Sequence, residues 1–190
     1  MQRLIGGLTA MAAIAMLAGA GAARASVTVI GGGLAEACSK ATLGGSALRR
    51  DEDVCTRALS EEMLNPRDKA GTYVNRGIMR LRRSEWKAAM SDFDRAVYYK
   101  PDLGEIYVNR GAALLGQHRF AESLADLNKS LQIGTEEPAK AYYNRALAYE
   151  GLDDLKSAYF DYQKAMELSP EWDAPRQQLT RFHVATVRRE

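Results

Sequence analysis

Histidine and cysteine are scarce, with two of each in 190 residues. A metal centre draws three or four such ligands together, so the chain has little material for one. His118 and His183 have no nucleophile or ligand cluster at motif spacing, and no serine triad can be assembled, so the reading is of a protein that is not an enzyme. Five prolines are too few for a polyproline stalk, and 16 glycines without a period exclude collagen. Neither sign of charge dominates: 26 Lys+Arg face 24 Asp+Glu, which argues against a nucleic-acid binder. Beyond the first 25 residues no apolar run is long enough to span a membrane. What is present, 46% hydrophobic and 26% charged residues, is an ordinary globular balance.

The N-terminus stands apart. After Arg3 an apolar run from Leu4 to Ala22 ends at Ala23-Arg24-Ala25, a small-x-small site of the kind signal peptidase cuts. Residues 1–25 are therefore expected to be a signal peptide, cleaved before Ser26 and directing a bacterial protein to the periplasm. The alternative is an inner-membrane anchor that stays uncleaved, although Ala and Gly bury little apolar area in a bilayer. Cleavage leaves acids and bases in balance in one domain's worth of chain, with no membrane contact expected. Residues 26–52 read as a leader, with a short helix from Leu34 to Ala41 between hinges at Gly31-Gly32-Gly33 and Gly44-Gly45. Val27 to Gly33 resembles a strand entering a nucleotide-binding loop, but the third glycine of that fingerprint is replaced by Glu36 and no βαβ unit follows. No cofactor is expected.

The rest of the chain repeats. Tyr73-Val74-Asn75-Arg76-Gly77 recurs as Tyr107-Val108-Asn109-Arg110-Gly111 and as Tyr142-Tyr143-Asn144-Arg145-Ala146, at spacings of 34 and 35 residues. Ala89, Phe93, Ala96 and Pro101 correspond to Ala158, Tyr162, Ala165 and Pro170, and to Ser123, Leu127, Ser130 and Thr135 in the middle copy. Small residues fall where two helices would cross closely and large ones beside them. Such units bury their apolar faces only by stacking, and their ends need caps.

The pattern resembles the tetratricopeptide repeat family, whose 34-residue signature places aromatic, Leu-Gly, Ala, aromatic, Ala and Pro at fixed offsets. The resemblance implies an all-α, right-handed solenoid of helical hairpins, with three full repeats at 70–103, 104–137 and 139–172 and Pro138 as a one-residue insertion. Residues 53–69 read as an N-terminal half-repeat helix and turn, because Cys55-Thr56-Arg57-Ala58-Leu59 echoes Phe93-Asp94-Arg95-Ala96-Val97. Residues 173–190 read as a capping helix and tail, with Pro175 in the first turn and Leu179, Phe182 and Val187 as a sparse apolar face. Arg80 and Thr135 depart from the signature, where an apolar residue and the closing proline are usual.

An exported chain with two cysteines and none left over suggests a Cys38–Cys55 disulfide across the leader and the half repeat. Two free buried thiols remain the alternative, and a redox pair lacks the Cys-x-x-Cys spacing.

In the resembled family the first helices of the repeats line a groove that takes extended peptides. The corresponding positions are Gly71, Val74, Asn75, Ile78, Leu81 and Arg82 in repeat one. In repeat two they are Glu105, Val108, Asn109, Ala112, Leu115 and Gly116. In repeat three they are Lys140, Tyr143, Asn144, Leu147, Glu150 and Gly151. Asn75, Asn109 and Asn144 form a ladder whose amides could pair with a peptide backbone of any sequence; equally, asparagine there could simply face water. A clamp for a terminal carboxylate is only partly matched, since Val74 and Ile78 stand where Lys and Asn would be needed. Arg76, Arg110 and Arg145 recur as structural residues. Asp153-Asp154 read as a helix cap. The group Arg80, Arg82, Arg83 gives repeat one a basic edge, read as a solvated face. The expected function is an exported interaction scaffold holding a protein or peptide segment of unknown identity in its groove. The alternative is a self-associating structural protein of the cell envelope, motivated by the uneven charge along the axis.

Overall fold

The computed structural model describes residues 3–5, 23–25, 27–29 and 33–185. Most of the apolar run Leu4–Ala22, Gly31-Gly32 of the first hinge, and Val187 lie outside them. The described residues hold nine helices: α1 (Leu34–Leu43), α2 (Arg49–Glu61), α3 (Pro66–Arg82), α4 (Trp86–Tyr99), α5 (Gly104–Gly116), α6 (Phe120–Ile133), α7 (Pro138–Gly151), α8 (Leu155–Leu168) and α9 (Asp173–Leu179). Two three-residue strands, β1 (Arg3–Ile5) and β2 (His183–Ala185), pair antiparallel. No helix among the described residues is long and apolar enough to cross a membrane.

Local chemistry sets the boundaries. Asn65 caps α3, its Oδ1 accepting from the Asp68 N–H at 2.9 Å, with Pro66 at the first position. These two residues start the helix four positions before Ala70. Pro138 likewise opens α7, so it belongs to the helix and not to a linker. Asp154 caps α8 by accepting from the Ser157 N–H at 3.1 Å. Its neighbour Asp153 does not cap; it holds the left-handed turn between the two helices, with φ of 62°. Ser84 and His118 do the same in the preceding repeats, at 59° and 58°. A side chain in that region costs free energy that glycine avoids. Ser84 is exposed and its hydroxyl makes no hydrogen bond among the described residues, so Ser84→Gly is expected to stabilise the fold by roughly 0.5 kcal/mol. A urea midpoint below that of the wild type would contradict this.

Within each repeat the crossing is built from one small and one large residue. Phe93, Leu127 and Tyr162 are fully buried opposite Gly77, Gly111 and Ala146. A Cβ on Gly77 would stand 2.5 Å from the Phe93 ring, and one on Gly111 2.8 Å from Leu127 Cγ. Arg76, Arg110 and Arg145 then clamp each hairpin. Each guanidinium donates two bonds to an aspartate sixteen positions on, Asp92, Asp126 and Asp161, at 2.7–3.1 Å. Each also lies over the ring of its own repeat's tyrosine, Tyr73, Tyr107 or Tyr142, at 5.2–5.5 Å. Between repeats the joint is aromatic on glycine: Trp86 against Gly116 and Phe120 against Gly151.

The N-terminal cap is more than a half repeat. α1 and α2 pack on each other and both pack on α3, and Cys38 is bonded to Cys55 across them. The disulfide lies against Met79 of α3. Glu62 turns back to cap α1, accepting from the Leu34 and Ala35 N–H groups at 2.5 and 3.0 Å. A carboxylate therefore already fills the place a phosphate would take beside Gly33.

Arg80, Arg82 and Arg83 are not a solvated face. Arg80 and Arg83 both bond Glu52 of α2, and Arg80 also reaches Asp92 at 3.0 Å. Arg82 donates to the backbone carbonyls of Thr42 and Ser46 at 2.9 and 2.7 Å, covering the end of α1. Burial alone would raise the Glu52 pKa, but the two guanidiniums outweigh it and hold the carboxyl below its usual value. The basic run is thus the clasp between cap and repeat one.

The C-terminal helix ends earlier than expected, at Leu179. Arg181 bonds Glu150 at 2.7 Å and Phe182 packs edge-on to Tyr162 at 6.0 Å, and these contacts turn the chain out of the helix. His183 consequently lies in β2 and not in a helix.

Candidate functional site

The first helices of successive repeats, α3, α5 and α7, touch one another as well as their own partners, whereas the second helices α4, α6 and α8 make little contact with each other. A stack joined in this way curves around its first helices, which become the inner wall. Asn75, Asn109 and Asn144 project from that wall and are fully buried.

They are buried because a segment of this chain covers them. Residues 23–25 and 27–29 lie along the wall from repeat three to repeat one. Asn144 makes a reciprocal pair with Ala23, Nδ2 donating to the Ala23 carbonyl at 2.8 Å and Oδ1 accepting from the Ala23 N–H at 3.0 Å. Asn109 Nδ2 donates to the Ala25 carbonyl at 2.5 Å, and Asn75 Nδ2 to the Val27 carbonyl at 2.9 Å. Lys140 Nζ adds a bond to the Arg24 carbonyl at 2.9 Å, and Ser39 Oγ one to Val27 at 3.2 Å. The three asparagines, one per repeat, thus grip every second residue, as an extended strand requires.

Side chains follow the same period. Ala23, Ala25, Val27 and Val29 are buried, while Thr28 is exposed. Val27 packs into the cluster of Val74 and Ile78, Ala25 against Val108 and Ala141, and Ala23 with Tyr143 and Leu147. Gly71 lets Val27 and Val29 approach: a Cβ there would lie 2.9 Å from Val27 Cγ1. Ala112 is buried one turn along from Asn109.

Other positions expected in the groove serve the framework instead. Glu105 is buried and accepts from Thr135 Oγ1 at 3.0 Å and the Glu136 N–H at 2.7 Å, tying down the turn that lacks its proline. Glu150 accepts from the Tyr162 hydroxyl at 2.6 Å. Gly116 and Gly151 sit in the repeat joints, and Leu81 in the core of repeat one. Arg82 belongs to the clasp described above. Tyr143 is buried against Trp172 at 4.8 Å, and that burial raises its phenol pKa.

Two features of the occupied groove are unbalanced. Asn75 Oδ1 and Asn109 Oδ1 are buried and have no donor among the described residues. Arg24 is half-buried, its Nε has no partner among them, and desolvation lowers its pKa. Among the described residues there is no group of three or more His, Cys, Asp or Glu that could hold a metal ion.

Comparison with known proteins agrees with this fold. The tetratricopeptide repeat family matches residues 139–171. A DnaJ homolog subfamily C member 7 homolog of Schizosaccharomyces pombe is 30% identical over 142 residues, covering 73% of this chain and 29% of that protein. The Hsp70-Hsp90 organizing protein of Triticum aestivum is 34% identical over 85 residues, covering 45% and 14%. The chain thus spans less than a third of the length of either relative. MamA (residues 41 to the end) from Desulfovibrio magneticus RS-1 superposes with a TM-score of 0.61 at 23% identity, covering 78% of this chain and 82% of that one. The second TPR domain of human RPAP3, solved in complex with an HSP70 peptide, gives 0.55 at 20%, covering 60% and 95%. With three in-phase copies of the signature folded as stacked hairpins, the chain belongs to the tetratricopeptide repeat proteins.

Proposed function

We propose that this protein is a non-catalytic scaffold, exported to the periplasm, that holds an extended segment of a partner protein along its asparagine ladder. One observation carries the reading: three asparagines, one per repeat, bond the backbone of an extended stretch at every second residue. Backbone amides and carbonyls are common to all peptides, so the ladder supplies affinity, and the small seats between its rungs supply selectivity. One protein of this fold was solved in complex with a peptide, which supports a peptide-binding role here. Val74 and Ile78, apolar in this chain, favour an internal stretch of a partner over a terminal carboxylate. The export proposal rests on the apolar run before Ala23 and the small-x-small site at its end.

The competing picture of a self-associating envelope component draws on the uneven charge along the axis, to which the basic group in repeat one contributes. Those guanidiniums are engaged by Glu52, Asp92 and backbone carbonyls, so they offer little to a second copy.

Replacing Asn75, Asn109 and Asn144 together with alanine is expected to weaken the binding of a partner to the open groove about 100-fold. That follows from roughly 1 kcal/mol per lost hydrogen-bonded rung. Recovery of partners from periplasmic extract on immobilised wild type and variant makes the comparison. Equal recovery would remove the ladder from the account.

A further inference from the structure

We infer that residues 23–29 are the groove's own occupant, a built-in competitor that a partner strand must replace, and that cutting the chain after Ala25 removes its grip on two of the three rungs. The inference rests on the function proposed above. Four observations carry it.

First, the segment is seated and not merely nearby. Ala25 is fully buried, and Ala23, Val27 and Val29 nearly so, each in a separate apolar seat. Secondly, its pattern defines what a rival must look like: small residues at the Ala23 and Ala25 seats and β-branched residues at the Val27 and Val29 seats, running from repeat three towards repeat one.

Thirdly, the occupant is imperfect. It leaves the Oδ1 atoms of Asn75 and Asn109 without a donor among the described residues, and it half-buries the charged Arg24, whose Nε has no partner among them either. A partner with an uncharged residue in place of Arg24 avoids that penalty.

Fourthly, the bond after Ala25 divides the contacts. On its N-terminal side lie those to Asn144, Lys140 and Asn109; on the other side Val27 remains tied to Asn75 and Ser39, and Val29 to Ala35 and Ala58 of the disulfide-linked cap. Cleavage therefore clears repeats two and three and leaves repeat one plugged. Because Ala25 is buried when docked, a peptidase must act before the segment settles.

The test uses the full chain and a fluorescein-labelled peptide, Ala-Ala-Arg-Ala-Ser-Val-Thr-Val-Ile, copied from residues 22–30. Ala25→Asp puts a charge into a dry seat and should eject the resident segment. The variant is expected to bind the peptide at least tenfold more tightly than wild type, and adding Asn144→Ala should reverse most of that gain. Hydrogen exchange on the wild type gives a readout free of mutation: the Ala23 amide should be protected, and saturating peptide should release it. Equal, ladder-dependent affinity in wild type and Ala25→Asp leaves the groove reading standing and overturns the competitor. An unprotected Ala23 amide overturns it too. No binding to either protein overturns both proposals together.

Discussion

Replacing Arg110 with alanine is expected to destabilise the protein by about 3 kcal/mol, although the side chain touches no part of the groove. Its guanidinium donates two parallel bonds to Asp126 at 2.7 and 2.8 Å and a third to Asp94 of the preceding repeat at 3.0 Å. Asp126 is only 8% exposed, so losing its partner leaves a nearly buried carboxylate without compensation. These bonds, with burial opposing them, raise the Arg110 pKa above its ordinary value, so the charge is present at every accessible pH. The guanidinium is itself partly solvated, which keeps the figure at the lower end of the range for broken buried pairs. Lysine should rescue little, because a single ammonium cannot make the two-pronged contact. Urea denaturation of Arg110→Ala, Asp126→Ala and the double variant provides the check. The double variant should lose clearly less than the sum of the singles. Additive losses would mean that the pair does not act as a unit.

Removing the Cys38–Cys55 bond should cost a similar amount, but locally. The bond closes a separation of 17 residues, which the chain-entropy account values at roughly 3 kcal/mol. It joins α1 to α2 and packs on Met79, so its loss loosens the cap where the Arg80–Arg83 clasp holds it to repeat one. Cys38→Ser with Cys55→Ser should lower the melting temperature by about 5–10 °C while the repeats keep their helicity below the transition. Hydrogen exchange should show faster opening in α1 and α2 and little change in α5 to α8. Uniform acceleration across all helices would show that the cap governs the whole array. Two alkylatable thiols in protein purified without reductant would remove the bond from the native state.

The repeats were plain in the sequence because each of their devices recurs at the same offset. The small-against-large crossings, the asparagine of the inner wall and the arginine beside it all return after 34 or 35 residues. The cysteine pairing was legible from count and context. The clasp was not, since Arg82 binds backbone carbonyls, which every residue carries and none advertises. Its fellow arginines reach a glutamate some thirty positions away in a different helix. The early end of α9 was illegible for the same reason, as Arg181 and Phe182 are turned by contacts with α7 and α8. Occupation of the groove left one trace. Ala23, Ala25, Val27 and Val29 alternate with period two, a strand pattern hidden beneath the more familiar outline of a cleavage site.

The ladder also fixes a ruler. Successive rungs hold residues 23, 25 and 27, so each repeat advances the bound strand by a dipeptide, about 6.8 Å. Packed helices stand about 8–10 Å apart, so the strand takes the shorter inside track of the curve and stays in step only because the wall bends. Three repeats therefore measure five consecutive residues of whatever lies in the groove. Inserting one more copy would lengthen the measured stretch by two residues, whereas flattening the stack would put rungs and residues out of phase.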